Sequence, residues 1–237
     1  MRAYADLHLS PSLDDTANAR SMASLLTQLQ TKLVGLVVPP ERSFSSLPIA
    51  EVFRNSGIDV ATRLDVKPKS REELLKTLRR FRSKYEIISV ECSTTHVSRV
   101  AVRDRRVDII HFPKRQSGNL FRGNLAKSCR AALEFNLSEL ISDAGLETRL
   151  QLFRREIETA AETSTTVVGS SNASNPFGLR SPRDIAAVLY MIGLPLDLAL
   201  RGVSDIPLEI VKKNRLRLAE PQIDEGVRIL RRSTRNE

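Results

Sequence analysis

Seven short runs of apolar, mostly β-branched residues recur along this 237-residue chain, and a longer stretch with one apolar face follows each of them. The runs are Arg2–Leu7, Leu33–Val38, Ile58–Leu64, Ile87–Cys92, Val107–Phe112, Ala131–Leu137 and Thr165–Ser170. Such short segments with little polar alternation read as parallel strands buried on both faces. The stretches between them read as helices, over Asn18–Thr31, Pro48–Asn55, Arg71–Lys84, Thr95–Arg103, Asn119–Ser128 and Thr148–Thr163. In the third, Leu74, Leu75, Leu78 and Phe81 fall on one face, as packing against a sheet requires. Strand and helix in strict alternation predict a parallel α/β protein. A closed barrel and an open doubly wound sheet both satisfy the pattern, and periodicity alone does not choose. After Ser170 the chain reads as helices, Pro182–Ile192, Leu196–Gly202 and Pro207–Arg217, so a barrel would have seven strands or close irregularly. No low-complexity linker interrupts the chain, which predicts one domain over residues 1–219. Residues 220–237 form a polar, basic tail, in which Arg228, Arg231, Arg232 and Arg235 are available to touch an extended partner.

Charge narrows the function. The formal net charge is +9 and the pI about 10.0, which points to an anionic partner. The excess is concentrated: residues 63–86 hold nine basic and four acidic side chains, 99–130 nine and two, and 212–237 eight and four. The first cluster reads equally as a solvated helix face, and the last equally as a protein contact. The second, with Arg99, Arg103, Arg105, Arg106, Lys114, Arg115, Arg122, Lys127 and Arg130, reads as an RNA or subunit surface, because adjacent βα units would gather it onto one sector. Aromatic residues make up 5% and Trp is absent, too few for a single-strand binder built on base stacking. Recognition of a folded RNA by charge and shape fits better. Cys92 and Cys129 lack a CxxC partner, which excludes a structural zinc site and predicts free thiols in the core. No apolar run reaches a membrane span and no secretory signal is visible, so the cytoplasm is the expected compartment.

Functional residues in parallel α/β folds gather at the C-terminal ends of strands. By that rule Asp6, His8, Glu91 and His111 could meet at one mouth, with Asp65 and residues 170–172 nearby. Asp6 and His8, two residues apart on a strand, would point the same way, as two metal ligands must. Three histidines in the whole chain are few for a metal cage, so a remnant pocket held by hydrogen bonds and ion pairs is the better reading. His96, in STTHVSR, reads as a surface residue. Further on, Ser181 can cap a helix whose first position is Pro182, with Asp184 three residues later. Arg180 and Arg183 flank that start, where backbone N–H groups favour an anion.

The blocks YADLHLSP (residues 4–11), IISVEC (87–92), VDIIHFP (107–113), AALEFNLSELI (131–141), LRSPRDIA (179–186) and SDIPLEIVKKNR (204–215) together resemble the protein component 3 family of ribonuclease P. The resemblance covers essentially the whole chain and favours the barrel, of the TIM-like kind related to the PHP metallohydrolases. Those hydrolases carry His-x-His, followed by further histidine and aspartate ligands, where this chain has Asp6 and His8 and lacks the multi-histidine cage. The resemblance implies a subunit of the endonuclease that removes the 5′ leader of precursor tRNA, with the RNA subunit performing Mg²⁺-dependent hydrolysis. No catalytic group and no intrinsic cofactor or metal would come from this chain. Its partners would be the ribonuclease P RNA, a small RRM-like protein, other subunits and, indirectly, precursor tRNA. Arg180, Lys127 and Arg99 match basic positions that recur in the family. The alternatives are a stand-alone PHP-like phosphoesterase using Asp6, His8, Glu91 and His111, and a scaffold barrel of another ribonucleoprotein.

Overall fold

Every one of the apolar runs becomes a strand in a computed structural model, described for residues 2–113, 121–141 and 145–219 and, as backbone only, 222–224 and 227–228. Tyr4–Leu9 (β1), Thr31–Val37 (β2), Asp59–Val66 (β3), Ile87–Glu91 (β4), Ile109–His111 (β5), Ala132–Asn136 (β6) and Val167–Ser170 (β7) form one seven-stranded sheet in sequence order. Each neighbouring pair is parallel. A doubly wound sheet reverses its order at a switch point; this one never does. Its two edges are tied instead. Leu9 bridges to Ala173 just past β7, whose C=O also accepts from the Ser10 N–H at 2.9 Å. At the other end the Ala5 N–H donates to Val203 at 3.0 Å. The sheet is a nearly closed, seven-stranded TIM-like barrel.

The helices follow the strands outside: Thr16–Gln28 (α1), Pro48–Asn55 (α2), Arg71–Phe81 (α3), Thr95–Ala101 (α4), Gly123–Lys127 (α5), Ser138–Ile141 (α6), Leu146–Glu162 (α7) and Pro182–Met191 (α8). Side chains of Asp15, Ser70, Thr94 and Ser181 accept from first-turn N–H groups of α1, α3, α4 and α8. The helix predicted over Asn18–Thr31 runs too far: Gln30 takes a positive φ of 61° and Thr31 already belongs to β2. Of the helix predicted over Asn119–Ser128, Gly123–Lys127 is formed, and residues 119–120 lie outside the described ones. Four-residue α6 is too short to leave a periodic signal.

Leu196–Gly202 (α9) and Asp205–Ala219 (α10) complete the domain. Helix α10 lies across the N-terminal opening of the barrel. Its Ile206 and Val211 join Ala5, Leu7, Leu33, Ala61, Ile87, Ile109, Ala132 and Val168 in a small apolar layer inside the strands. Polar side chains on the same helix clasp the strand starts: Asn214 Nδ2 donates to the Glu86 carbonyl and to Asp108, and Arg215 pairs with Asp59 and Glu86. The larger core lies between the sheet and its outer helices. Within the tail, the backbones of Gln222–Asp224 (β8) and Val227–Arg228 (β9) pair antiparallel.

Candidate functional site

Above the apolar layer the barrel holds charge. Arg63, on β3, is 0% exposed, and all of its N–H groups have acceptors. Nε donates to Asp65 at 2.7 Å. Nη1 and Nη2 straddle Glu134 at 2.6 and 2.7 Å, and also reach the Leu7 carbonyl and the Ser89 hydroxyl, each at 3.0 Å. His8 completes the cluster, its Nε2 3.2 Å from Asp65 and its Nδ1 3.2 Å from Glu134. Ser170, at the end of β7, donates to Glu134 at 2.8 Å. Four strands and the end of a fifth thus meet at two cations and two carboxylates.

The residues predicted for this mouth separate into three groups. Asp6 is buried against Ser171, whose N–H and hydroxyl both donate to it, and it also accepts from the His8 N–H. Burial pushes its carboxyl up, against those hydrogen bonds. His8 instead faces Asp65 and Glu134. The period-two argument that aligned Asp6 with His8 fails because the pairing of β1 with β2 shifts register between Asp6 and Leu9. Glu91 and His111 form a third group: they are register partners on β4 and β5, 3.6 Å apart, with Lys67 3.5 Å from the same Glu91 oxygen. The neighbouring His111, with Lys67, outweighs burial and holds the Glu91 carboxyl below its ordinary value. His96 is exposed on α4.

A divalent cation does not fit this donor set. Among the described residues no three His, Cys, Asp or Glu side chains are placed to hold one. The two carboxylates that converge, Asp65 and Glu134, already hold a guanidinium where a metal would have to sit. Within the cluster the two cations, Arg63 and His8, balance the two carboxylates.

The histidine in the cluster gives it a pH signature. Burial and the Arg63 charge push the imidazole down, but Glu134 and Asp65 outweigh them and raise His8 from 6.5 to about 9. A histidine whose folded pKa exceeds its unfolded one stabilises fully below the unfolded value, and that contribution is lost as pH rises through the folded value. Stability is therefore expected to fall by on the order of 3 kcal/mol between about pH 6.5 and 9. Urea unfolding across that range checks it: His8→Gln should be less stable at the acid end and lose the slope. An unaltered slope in His8→Gln would assign it elsewhere.

The arginine-rich segment lies on the outside. Arg99 and Arg103 are exposed at and just past the end of α4, Arg122 and Lys127 flank and end α5, and Arg130 precedes β6. Since β4 and β5 are neighbours, so are α4 and α5, and Arg103 Nε donates to Ser128 Oγ at 3.1 Å across the join. Arg105 is exposed in the turn before β5, whereas Arg106 folds onto Asp104 through Nε and Nη2 at 2.9 and 2.6 Å. Lys114 and Arg115 lie outside the described residues. The 63–86 cluster is less of a surface than its count suggests, since Arg63 and Arg82 are buried in ion pairs.

Past β7, Ser181 accepts from the Arg183 and Asp184 N–H groups, and Pro182 opens α8. Half-buried Arg180 donates to the Phe177 and Leu179 carbonyls, at 2.6 and 2.7 Å, beside a Phe177 ring that is 89% exposed. Arg183 is exposed, with Nε 3.1 Å from the Tyr4 hydroxyl and its guanidinium over the Tyr4 ring.

Sequence reasoning passed over Arg63 and Glu134, the centre of the mouth. The signal was present: each is a charge inside an otherwise buried strand, and such a charge needs a partner.

The profile of the family described as RNase P subunit p30 matches residues 3–219. The ribonuclease P protein component 3 of Methanococcoides burtonii is 27% identical over 219 residues, spanning 90% of this chain and 89% of the relative. That of Methanosarcina mazei is 26% identical over 226 residues, 92% of each. A chain in the cryo-EM structure of archaeal ribonuclease P with mature tRNA has the same fold, with a TM-score of 0.77 at 23% identity, covering 96% of this chain and 98% of that one. A lactonase from Listeria monocytogenes shares the barrel at a TM-score of 0.52 and 10% identity, covering 89% and 94%.

Proposed function

This chain belongs to the RNase P subunit p30 family, and from that premise we propose that it serves as a protein subunit of ribonuclease P, supporting RNA-catalysed removal of the 5′ leader from precursor tRNA. One observation carries the non-catalytic form of this reading. The buried charges of Arg63, His8, Asp65 and Glu134 balance one another, while exposed cations stand outside on α4, α5 and the turns beside them. On this reading the barrel holds phosphates and leaves their hydrolysis to the RNA. By lowering repulsion between RNA phosphates it lets the catalytic RNA keep its shape with less Mg²⁺, the ion belonging to the RNA. The same reading gives it a small RRM-like protein neighbour and the cytoplasm as its compartment. No helix among the described residues is long and apolar enough to cross a membrane.

Reconstituted cleavage of precursor tRNA, titrated with Mg²⁺, tests this. The polypeptide should lower the Mg²⁺ requirement. Arg180→Ala should reduce the rate roughly tenfold at low Mg²⁺, the worth of one charged contact, with unfolding little changed. A mixture that cleaves identically with and without the polypeptide at every Mg²⁺ concentration would exclude the role. Turnover of a small phosphoester by the purified chain with Mn²⁺ would favour the phosphoesterase instead.

A further inference from the structure

We infer that the hollow at the N-terminal end of β5 and β6, opposite the mouth, is a second RNA contact that takes a backbone phosphate. The inference rests on the reading of the chain as a ribonuclease P subunit and adds a place of contact to it. The hollow encloses about 370 Å³, and four cations line it: Arg105 from the turn before β5, Arg130 from the segment before β6, and Lys213 and Arg217 from α10. Residues 210, 213, 214 and 217 all line it, the spacing of one helical face. Among the described residues that line it the one carboxylate is Asp108, already taken by Arg82, Asn214 and the Ile88 N–H, so it does not hold Arg130 or Arg217.

A second feature points to a missing anion. The Nη2 of Arg217 is shielded from solvent and has no hydrogen-bond acceptor among the described residues. A charged donor left so in a folded protein calls for an explanation. A phosphate oxygen in the adjoining hollow supplies the acceptor, and the guanidinium fork suits it.

An extended polyanion is favoured over an acidic protein segment by what surrounds the hollow. The Arg130 N–H donates to the Val102 carbonyl at 2.8 Å, which sets Arg130 against the turn that carries Arg103 and Arg105. The hollow therefore runs into the exposed arginine flank of α4 and α5. A phosphate chain leaving it meets one cation after another, at spacings no single carboxylate needs.

The test uses the reconstituted assembly and measures binding to the ribonuclease P RNA over a range of salt. Arg217→Ala should weaken binding roughly three- to tenfold and lower the slope of log K against log salt by about one, the release expected for one phosphate. Arg217→Lys, which keeps the charge without the fork, should retain the slope and recover part of the affinity. Arg130→Ala, on a surface segment, should repeat the loss and guards against a folding defect at α10. Wild-type affinity and slope in both alanine variants, with the wild type binding RNA, would overturn the phosphate site and leave the subunit role intact. Loss of a protein subunit with RNA binding preserved would overturn it in favour of a protein contact. Failure of the wild type to bind RNA or to affect cleavage would instead sink the subunit reading itself.

Discussion

Arg63→Ala is expected to cost roughly 3–5 kcal/mol, enough to unfold much of the population of an ordinary domain. The loss comes from what remains. Without the guanidinium, buried Glu134 and half-buried Asp65 keep only His8 to balance them, while Ser89 and the Leu7 carbonyl lose a donor. An intact buried pair contributes little net stability, because desolvation offsets attraction, but half of one is strongly unfavourable. Arg63→Met with Glu134→Leu, which removes the bidentate pair together, should therefore be milder than Arg63→Ala alone. Denaturant unfolding separates the two. A single substitution within about 1 kcal/mol of wild type would mean that the cluster is not held as described. The imidazole offers an independent readout: Arg63 repels the charge on His8, so its removal should move the His8 titration further up in any population that stays folded.

A charge cluster inside a barrel also bears on how much of this molecule the sequence discloses. The strands were legible because parallel strands covered on both faces must be apolar nearly throughout, and these runs had no other reading. Closure was not legible in the periodicity, and only the family resemblance favoured it. It depends on Ser171, Ala173 and Val203 reaching across from β7 and beyond to β1, contacts between residues more than 160 positions apart. Ser181 and Pro182 could be read because a cap is local chemistry. Arg63 was hidden by its neighbours: it opens a basic stretch, and a charge count treats a buried arginine and a solvated one alike. The pairing of Asp6 with His8 assumed an unbroken strand, and a register shift undoes it.

The hollow under β5 and β6 shows a different limit. The rule that function gathers at C-terminal strand ends directs attention to the mouth. In this barrel the buried cluster at the mouth neutralises itself and the other end accumulates cations. Arg105 and Arg130 meet Lys213 and Arg217 only because α10 crosses the barrel floor, and nothing local in either segment announces it.

A close backbone approach between β1 and β2 joins the floor and the mouth, and that approach supplies the second large effect. A Cβ added at Gly35, on β2, would lie 2.2 Å from the Leu7 carbonyl oxygen, 2.6 Å from its carbon and 2.8 Å from its Cα. These are backbone atoms of β1, which cannot rotate aside as a side chain can, and the collision falls within the register shift that turns His8 inward. Gly35→Ala is therefore expected to cost about 3 kcal/mol or more, at or beyond the upper end of ordinary overpacking. Gly57→Ala provides the comparison. Gly57 has a positive φ of 74° but nothing within 4 Å of an added Cβ, so alanine there meets only backbone strain, about 1–2 kcal/mol. If contact dominates, Gly35→Ala loses clearly more stability in denaturant than Gly57→Ala; equal losses would show that β1 yields. Any yielding has a further mark, because the Leu7 oxygen that the methyl displaces is an acceptor for Arg63 Nη1. A β1 pushed outward withdraws that acceptor and carries His8 away from Glu134 and Asp65. The imidazole, left with burial but fewer carboxylate contacts, then titrates below about 9 in Gly35→Ala.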